Sequence, residues 1–130
     1  MGRCVEKPYC NGTLSTAGKK SFVIAALRRP IWKPRNTAIE EACVGRRINK
    51  KTGRMCKHYE CAMCHKEFVK KQVVGDHISP VVDPEVGFVD YNTWIERHFI
   101  EKDGYQCLCI PCHDIKTNEE KAIAKERRKK

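Results

Sequence analysis

The chain is short of aromatic residues and of long apolar runs. Two Trp, four Tyr and four Phe make up 8% of its 130 residues, against 32% charged, so a large hydrophobic core is excluded and some other constraint must help hold the fold. No run approaches the roughly 20 apolar residues that cross a bilayer, which argues against a membrane role. No apolar leader follows Met1-Gly2-Arg3, so the expected setting is cytoplasmic. Acids are outnumbered, sixteen against twenty-six Lys and Arg, and the net charge is +10.

Cysteine, by contrast, is plentiful. Nine cysteines are an odd count, and four of them fall into two CxxC pairs, Cys61/Cys64 and Cys109/Cys112, a spacing suited to metal in a reducing compartment rather than to disulfides. A CxxC turn directs both thiolates to one side. Two such turns predict a tetrahedral structural zinc, whose binding energy of about 10–16 kcal/mol in small modules becomes folding energy. Cys4 and Cys10 are read as plain thiols, with a second metal site as the alternative. Cys43 is read as core, and Cys56 and Cys107 as ordinary thiols.

The positive charge is clustered. Arg28, Arg29, Lys33 and Arg35 form one group, Arg46, Arg47, Lys50, Lys51, Arg54 and Lys57 a second, and 121–130 a third, whereas 83–103 holds six acids. Each cluster alone reads equally well as solvated surface; together they favour a polyphosphate partner, because each neutralised phosphate releases condensed counterions.

Local patterns suggest the elements. Residues 1–20 read as a poorly ordered arm. Ser21 to Arg29 reads as a helix stopped by Pro30, and Thr37 with Glu40 as a capping box opening a second helix to about Arg47. Asn49 to Arg54 is turn chemistry. Alternation from Phe68 to Ile78 predicts a strand, followed by a long excursion from Ser79 to Gly104. A capping box at Thr93 and Glu96 opens a short helix within it, whose Trp94, Ile95, His98 and Phe99 pack inward. Tyr105 to Leu108 reads as a return strand, and Pro111 suits the first turn of a final helix.

If those two strands pair, Asp76 and His113 converge as an oxygen and a nitrogen ligand for a divalent cation with open positions. His77, on the opposite side of the strand from Asp76, stays free to take a proton from water near neutral pH. His58, His65 and His98 read as structural or solvated. Lys116 reads as a contact to the backbone of DNA or as cover for the helix.

Asp76-His77-Ile78-Ser79-Pro80, together with Gln106 through Thr117 (Q-C-L-C-I-P-C-H-D-I-K-T), resembles the HNH endonucleases in their four-cysteine zinc form, over about residues 58 to 120. Gly87-Phe88-Val89-Asp90 and the basic lead-in resemble the small HNH proteins of bacteriophages. The resemblance implies an α+β fold with a ββα-metal core and a long inter-strand loop. A basic arm over 1–20 and basic helices over 21–57 precede that core, and a basic helix end or tail over 121–130 follows it.

It further implies that Cys61, Cys64, Cys109 and Cys112 hold structural zinc and that Asp76 and His113 hold a catalytic cation: Mg2+ or Mn2+, with Ni2+ and Co2+ as alternatives. His77 is then the general base for phosphodiester hydrolysis, and Arg46, Arg47, Lys50, Lys51, Arg54 and Lys116 contact duplex DNA. The implied setting is the cytoplasm of a bacterial host, as a monomer or weak dimer, with phage packaging (terminase) proteins as further partners. One departure stands out: Gly104 occupies the place of the family's middle asparagine, and Asp103 or Asn92 is the candidate substitute. The competing readings are a non-catalytic zinc-containing DNA-binding module and a degenerate member kept for an interaction with a packaging motor.

Overall fold

In a computed structural model, which describes residues 4–129, the chain is α+β and divides into two units, one ending at Ile31 and the other beginning at Trp32. No helix among the described residues is long and apolar enough to cross a membrane.

In the first unit a tight turn closes between Tyr9 and Leu14, whose backbones exchange two hydrogen bonds of 3.0 Å. Helix α1 then spans Thr16–Arg28. It starts five residues earlier than expected because Ser15 caps it, accepting from the Gly18 N–H at 3.0 Å. Most of the arm expected to be poorly ordered is therefore turn and helix; Met1, Gly2 and Arg3 lie outside the described residues.

The second unit opens with α2, Lys33–Glu41. The expected start at Thr37 is corrected: Pro34 sits in the first turn, where its missing N–H costs nothing. Thr37 is mid-helix, its hydroxyl donating to the Lys33 carbonyl at 3.1 Å. The helix also stops short of Arg47. Residues Cys43–Ile48 form β1, which pairs antiparallel with β2, Met55–Glu60. The Asn49–Arg54 turn explains this, with Gly53 at φ +73° and its N–H bonded to the Asn49 carbonyl at 2.7 Å. Helical spacing at Ile39, Ala42 and Cys43 thus yields to strand pairing, Cys43 meeting Tyr59 and Ile48 meeting Met55. The lead-in is a basic hairpin behind a helix.

Strand β2 also pairs with β3, Glu67–Val69, giving a three-stranded sheet with the Cys61-Ala62-Met63-Cys64 turn between its last two strands. The strand expected from Phe68 to Ile78 is broken by a 3-10 turn at Lys70–Gln72, after which β4 runs Val73–His77. β4 pairs antiparallel with β5, Tyr105–Cys109, in the register Val73↔Cys109, Gly75↔Cys107, Asp76↔Gln106 and His77↔Tyr105.

Between them lies the long excursion, with α3 at Tyr91–His98. Its cap is Asp90, which accepts from the Thr93 N–H at 2.7 Å, not Thr93 itself. Trp94 and His98 are buried as expected and stack on each other, ring centroids 4.5 Å apart, but Ile95 is exposed because it lies off that i, i+4 face. Helix α4, Ile110–Arg128, follows β5 directly with Pro111 in its first turn and continues through most of the segment read as a tail.

The core is small. Ile39, Tyr59, Val73 and Cys107 form one buried cluster; Cys61, Leu108, Cys109 and Cys112 form another, and Phe68 packs against both. Helices α2 and α4 both pack against the β4–β5 hairpin. Alternation along the strands gives α2 the face of Val73, Gly75 and Cys107, while Asp76 lies on the other face, toward α4.

Candidate metal and catalytic centre

The four cysteines meet at one end of the β4–β5 hairpin. Cys61 and Cys64 flank the turn after β2; Cys109 ends β5 and Cys112 lies one turn into α4. All four sulfurs lie within 4.8 Å of one another, and Cys64 Sγ is 3.8 Å from Cys109 Sγ. A regular tetrahedron with Zn–S bonds of about 2.3 Å has edges of about 3.8 Å, so the donor set and its spacing fit a structural metal such as zinc.

The thiols differ in how readily they ionise. Burial opposes ionisation of Cys61, but N–H groups of Cys109, Cys64 and Met63 outweigh it and lower the thiol to about 6. Hydrogen bonding to Cys109 and then burial push Cys112 up to about 12. One negative charge can be held by the backbone donors; four require a metal.

At the other end of the hairpin, β4 carries Asp76 and His77 next to each other. Asp76 Oδ1 is 3.6 Å from His113 Nε2, which α4 delivers one residue after the last cysteine. Asp76 Oδ2 accepts from Gln106 Nε2 at 3.0 Å and from Lys116 Nζ at 2.6 Å. Lys116 also donates to the His77 carbonyl at 2.5 Å and lies 3.5 Å from Glu120.

Lys116, read as a contact to the backbone of DNA or as cover for the helix, meets Asp76, because three residues after His113 is the same face of α4. One carboxylate oxygen is therefore occupied by donors, and the other faces the imidazole. A cation held about 2.0–2.1 Å from each of two donors can bridge atoms up to about 4.2 Å apart, which the pair Asp76 Oδ1 and His113 Nε2 satisfies.

His77 is oriented by the main chain. Its Nε2 lies 2.8 Å from the His98 carbonyl, which can only accept, so Nε2 carries the proton and Nδ1 keeps the lone pair. The same carbonyl accepts from the Tyr105 hydroxyl at 2.7 Å, and the Tyr105 ring centroid is 4.6 Å from that of His77. Burial lowers the His77 pKa below that of a free imidazole, opposed by the His98 carbonyl and assisted by Arg35. That shift favours the neutral form of the ring.

Around Gly104, too, the contacts are made by main chain. The Gly104 carbonyl accepts from the Ile78 N–H at 2.9 Å, closing the base of the loop. Asp103 and Asn92 are exposed, and neither makes a side-chain hydrogen bond to Asp76 or His77. The His98 carbonyl does the orienting they were expected to do.

Arg46 and Arg47 are exposed on β1, and Lys50, Lys51 and Arg54 are exposed in the hairpin turn. Arg47 pairs with Glu67 at 3.3 Å, whereas Lys50, Lys51 and Arg54 have no carboxylate within 4.0 Å among the described residues. Cys4 and Cys10 are exposed and belong to no cluster of three or more metal-ligating groups among the described residues.

Gln106, the His98 carbonyl, Tyr105 and Arg35 were not picked out as site groups by sequence. Gln106 alone had a usable signal, since a strand register that places it opposite Asp76 follows from the two strand predictions. No protein-family model, curated protein or solved structure matches the chain.

Proposed function

We propose that the chain is a metal-dependent HNH endonuclease that hydrolyses phosphodiester bonds of duplex DNA. The observation that carries this reading is the meeting of Asp76 Oδ1 with His113 Nε2 at 3.6 Å while adjacent His77 is held, proton on Nε2, by the His98 carbonyl. Nothing in a purely structural zinc module calls for that set. The divalent cation, Mg2+ or Mn2+, supplies charge stabilisation for the departing 3′ oxygen.

This chain's residues do the rest. His77 Nδ1 accepts a proton from water as the water oxygen bonds to phosphorus. The bond from phosphorus to the 3′ oxygen breaks, leaving a 5′ phosphate, and the departing oxygen is protonated from solvent to give a 3′ hydroxyl. Gln106 and Lys116 hold Asp76 Oδ2, leaving Oδ1 toward His113, where those two residues would hold the cation.

One observation favours the alternative of a non-catalytic zinc-containing DNA-binding module: the Lys116 ammonium already neutralises Asp76. A plasmid assay separates the two. Supercoiled DNA with the protein and Mg2+ or Mn2+ becomes open circular or linear if the nuclease reading holds; DNA left supercoiled across Mg2+, Mn2+, Ni2+ and Co2+ favours the module.

The unpaired charges of the hairpin turn are assigned to the phosphate backbone of the duplex. Replacing Lys50, Lys51 and Arg54 together by Ala is expected to weaken duplex binding and to reduce the slope of log affinity against log salt by about 0.9 for each phosphate no longer neutralised. Fluorescence anisotropy on unrelated duplexes checks this; an unchanged slope removes the hairpin turn from the interface. The further partner, a phage packaging protein in a bacterial cytoplasm, rests on the resemblance alone.

A further inference from the structure

Arg35 is the least expected charge near the site. It lies on α2, and Gly75 is what allows it to lie there: a Cβ on Gly75 would come 2.5 Å from Arg35 Cγ and 3.2 Å from its Cδ. The missing side chain opens a track across β4 for the aliphatic stem. That stem brings the guanidinium to the Tyr105 ring, with Cζ 5.5 Å from its centroid.

Arg35 Nε is buried without a hydrogen-bond partner, and no carboxylate lies within 4.0 Å of the group among the described residues. The Tyr105 ring that Arg35 faces is also the ring whose centroid lies 4.6 Å from that of the His77 imidazole.

A guanidinium cannot lose its charge at accessible pH. Arg35 is half-buried: its Nε is shut off from water without an acceptor, which is costly, while the outer nitrogens of the fork are not closed off in that way. Tyr105 meets the group through its ring face and a side-chain hydrogen bond, and Nε stays unmet. A brace whose task was only to pin α2 to the hairpin would be served better by an apolar side chain against Gly75. What the position does offer is a fork of donors against the same Tyr105 ring that packs on His77, and an anion must come to that imidazole if a phosphodiester is to be attacked.

We propose that Arg35 is a phosphate-binding catalytic residue, whose guanidinium takes non-bridging oxygens of the scissile phosphodiester and stabilises the charge that builds on them. The inference rests on the nuclease reading for the identity of the phosphodiester. The contact itself is to any nucleic-acid phosphate seated at His77.

The test uses full-length, zinc-loaded protein carrying Arg35→Met, which keeps the stem and removes the charge, and Arg35→Lys, which keeps the charge and removes the fork. Single-turnover nicking is expected to slow by about 100-fold or more in R35M and about tenfold in R35K. In parallel, anisotropy of a labelled duplex without Mg2+ or Mn2+ is expected to show a salt slope lower by about one in R35M.

Nicking by R35M at the wild-type rate with an unchanged slope overturns the proposal. If R35M does not fold, R35K decides: nicking at the wild-type rate overturns the fork, and slowed nicking with an unchanged melting temperature supports it. Should the wild-type protein fail to nick at all, the nuclease reading falls by itself, and the salt slope still settles whether Arg35 meets a phosphate.

Discussion

His77→Ala is expected to abolish DNA nicking, slowing it by about 100-fold to 10,000-fold, the range a positioned general base contributes. Duplex affinity and zinc content should stay near those of the wild-type protein. The size of the effect follows from the geometry. The His98 carbonyl takes the Nε2 proton at 2.8 Å, so the ring presents one lone pair in one direction. Burial favours the unprotonated state of that lone pair. Removing the ring leaves water with no proton acceptor in place, while the charged hairpin assigned to duplex binding is untouched. Time courses on supercoiled plasmid with Mg2+ or Mn2+ measure this, and a variant that nicks at the wild-type rate would take His77 out of the mechanism.

The second large effect is on the fold. Cys109→Ser is expected to lower the melting temperature by roughly 10 °C or more, corresponding to about 3 kcal/mol for a domain of this size. Cys109 is buried, ends β5, and has its sulfur among the other three. The two buried clusters each contain only four residues, and in one of them three of the four are these cysteines. Without metal, that half of the core is a set of crowded thiols that tie β2, β5 and α4 to nothing. A strong chelator should reproduce the loss in the wild-type protein, and both are read by calorimetry with zinc content measured alongside. A melting temperature unchanged in C109S would show that the cluster contributes nothing to stability.

These two variants act at opposite ends of one hairpin, and the hairpin is the part most legible in the chain. Val73 and Val74, the Tyr105-to-Leu108 strand, Pro111 at the head of a helix and the paired CxxC turns are local signals with local consequences. The register then brings Asp76 and His113 together without further information.

What was not legible depended on distant partners or on the main chain. Cys43–Ile48 continues a helical pattern by spacing, yet becomes a strand because Met55–Glu60 is available across the Asn49–Arg54 turn. A carbonyl such as that of His98 has no side-chain signature. Lys116 and Arg35 are long enough to point inward or outward, and only packing decides: helix facing for Lys116, the bare backbone of Gly75 for Arg35.

Two main-chain contacts hold this end of the hairpin. A side-chain amide would pin the loop from one point; here the Gly104 carbonyl holds Ile78 and the His98 carbonyl holds His77, both through backbone already fixed by secondary structure.

Anomalous diffraction at the manganese edge, from crystals of the zinc-loaded protein grown with Mn2+, tests the central claim most directly. The account predicts one manganese peak bonded at about 2.1–2.2 Å to both Asp76 Oδ1 and His113 Nε2, lost in Asp76→Ala, with zinc confined to the four sulfurs. A fully manganese-saturated crystal with no peak between those two atoms would contradict it.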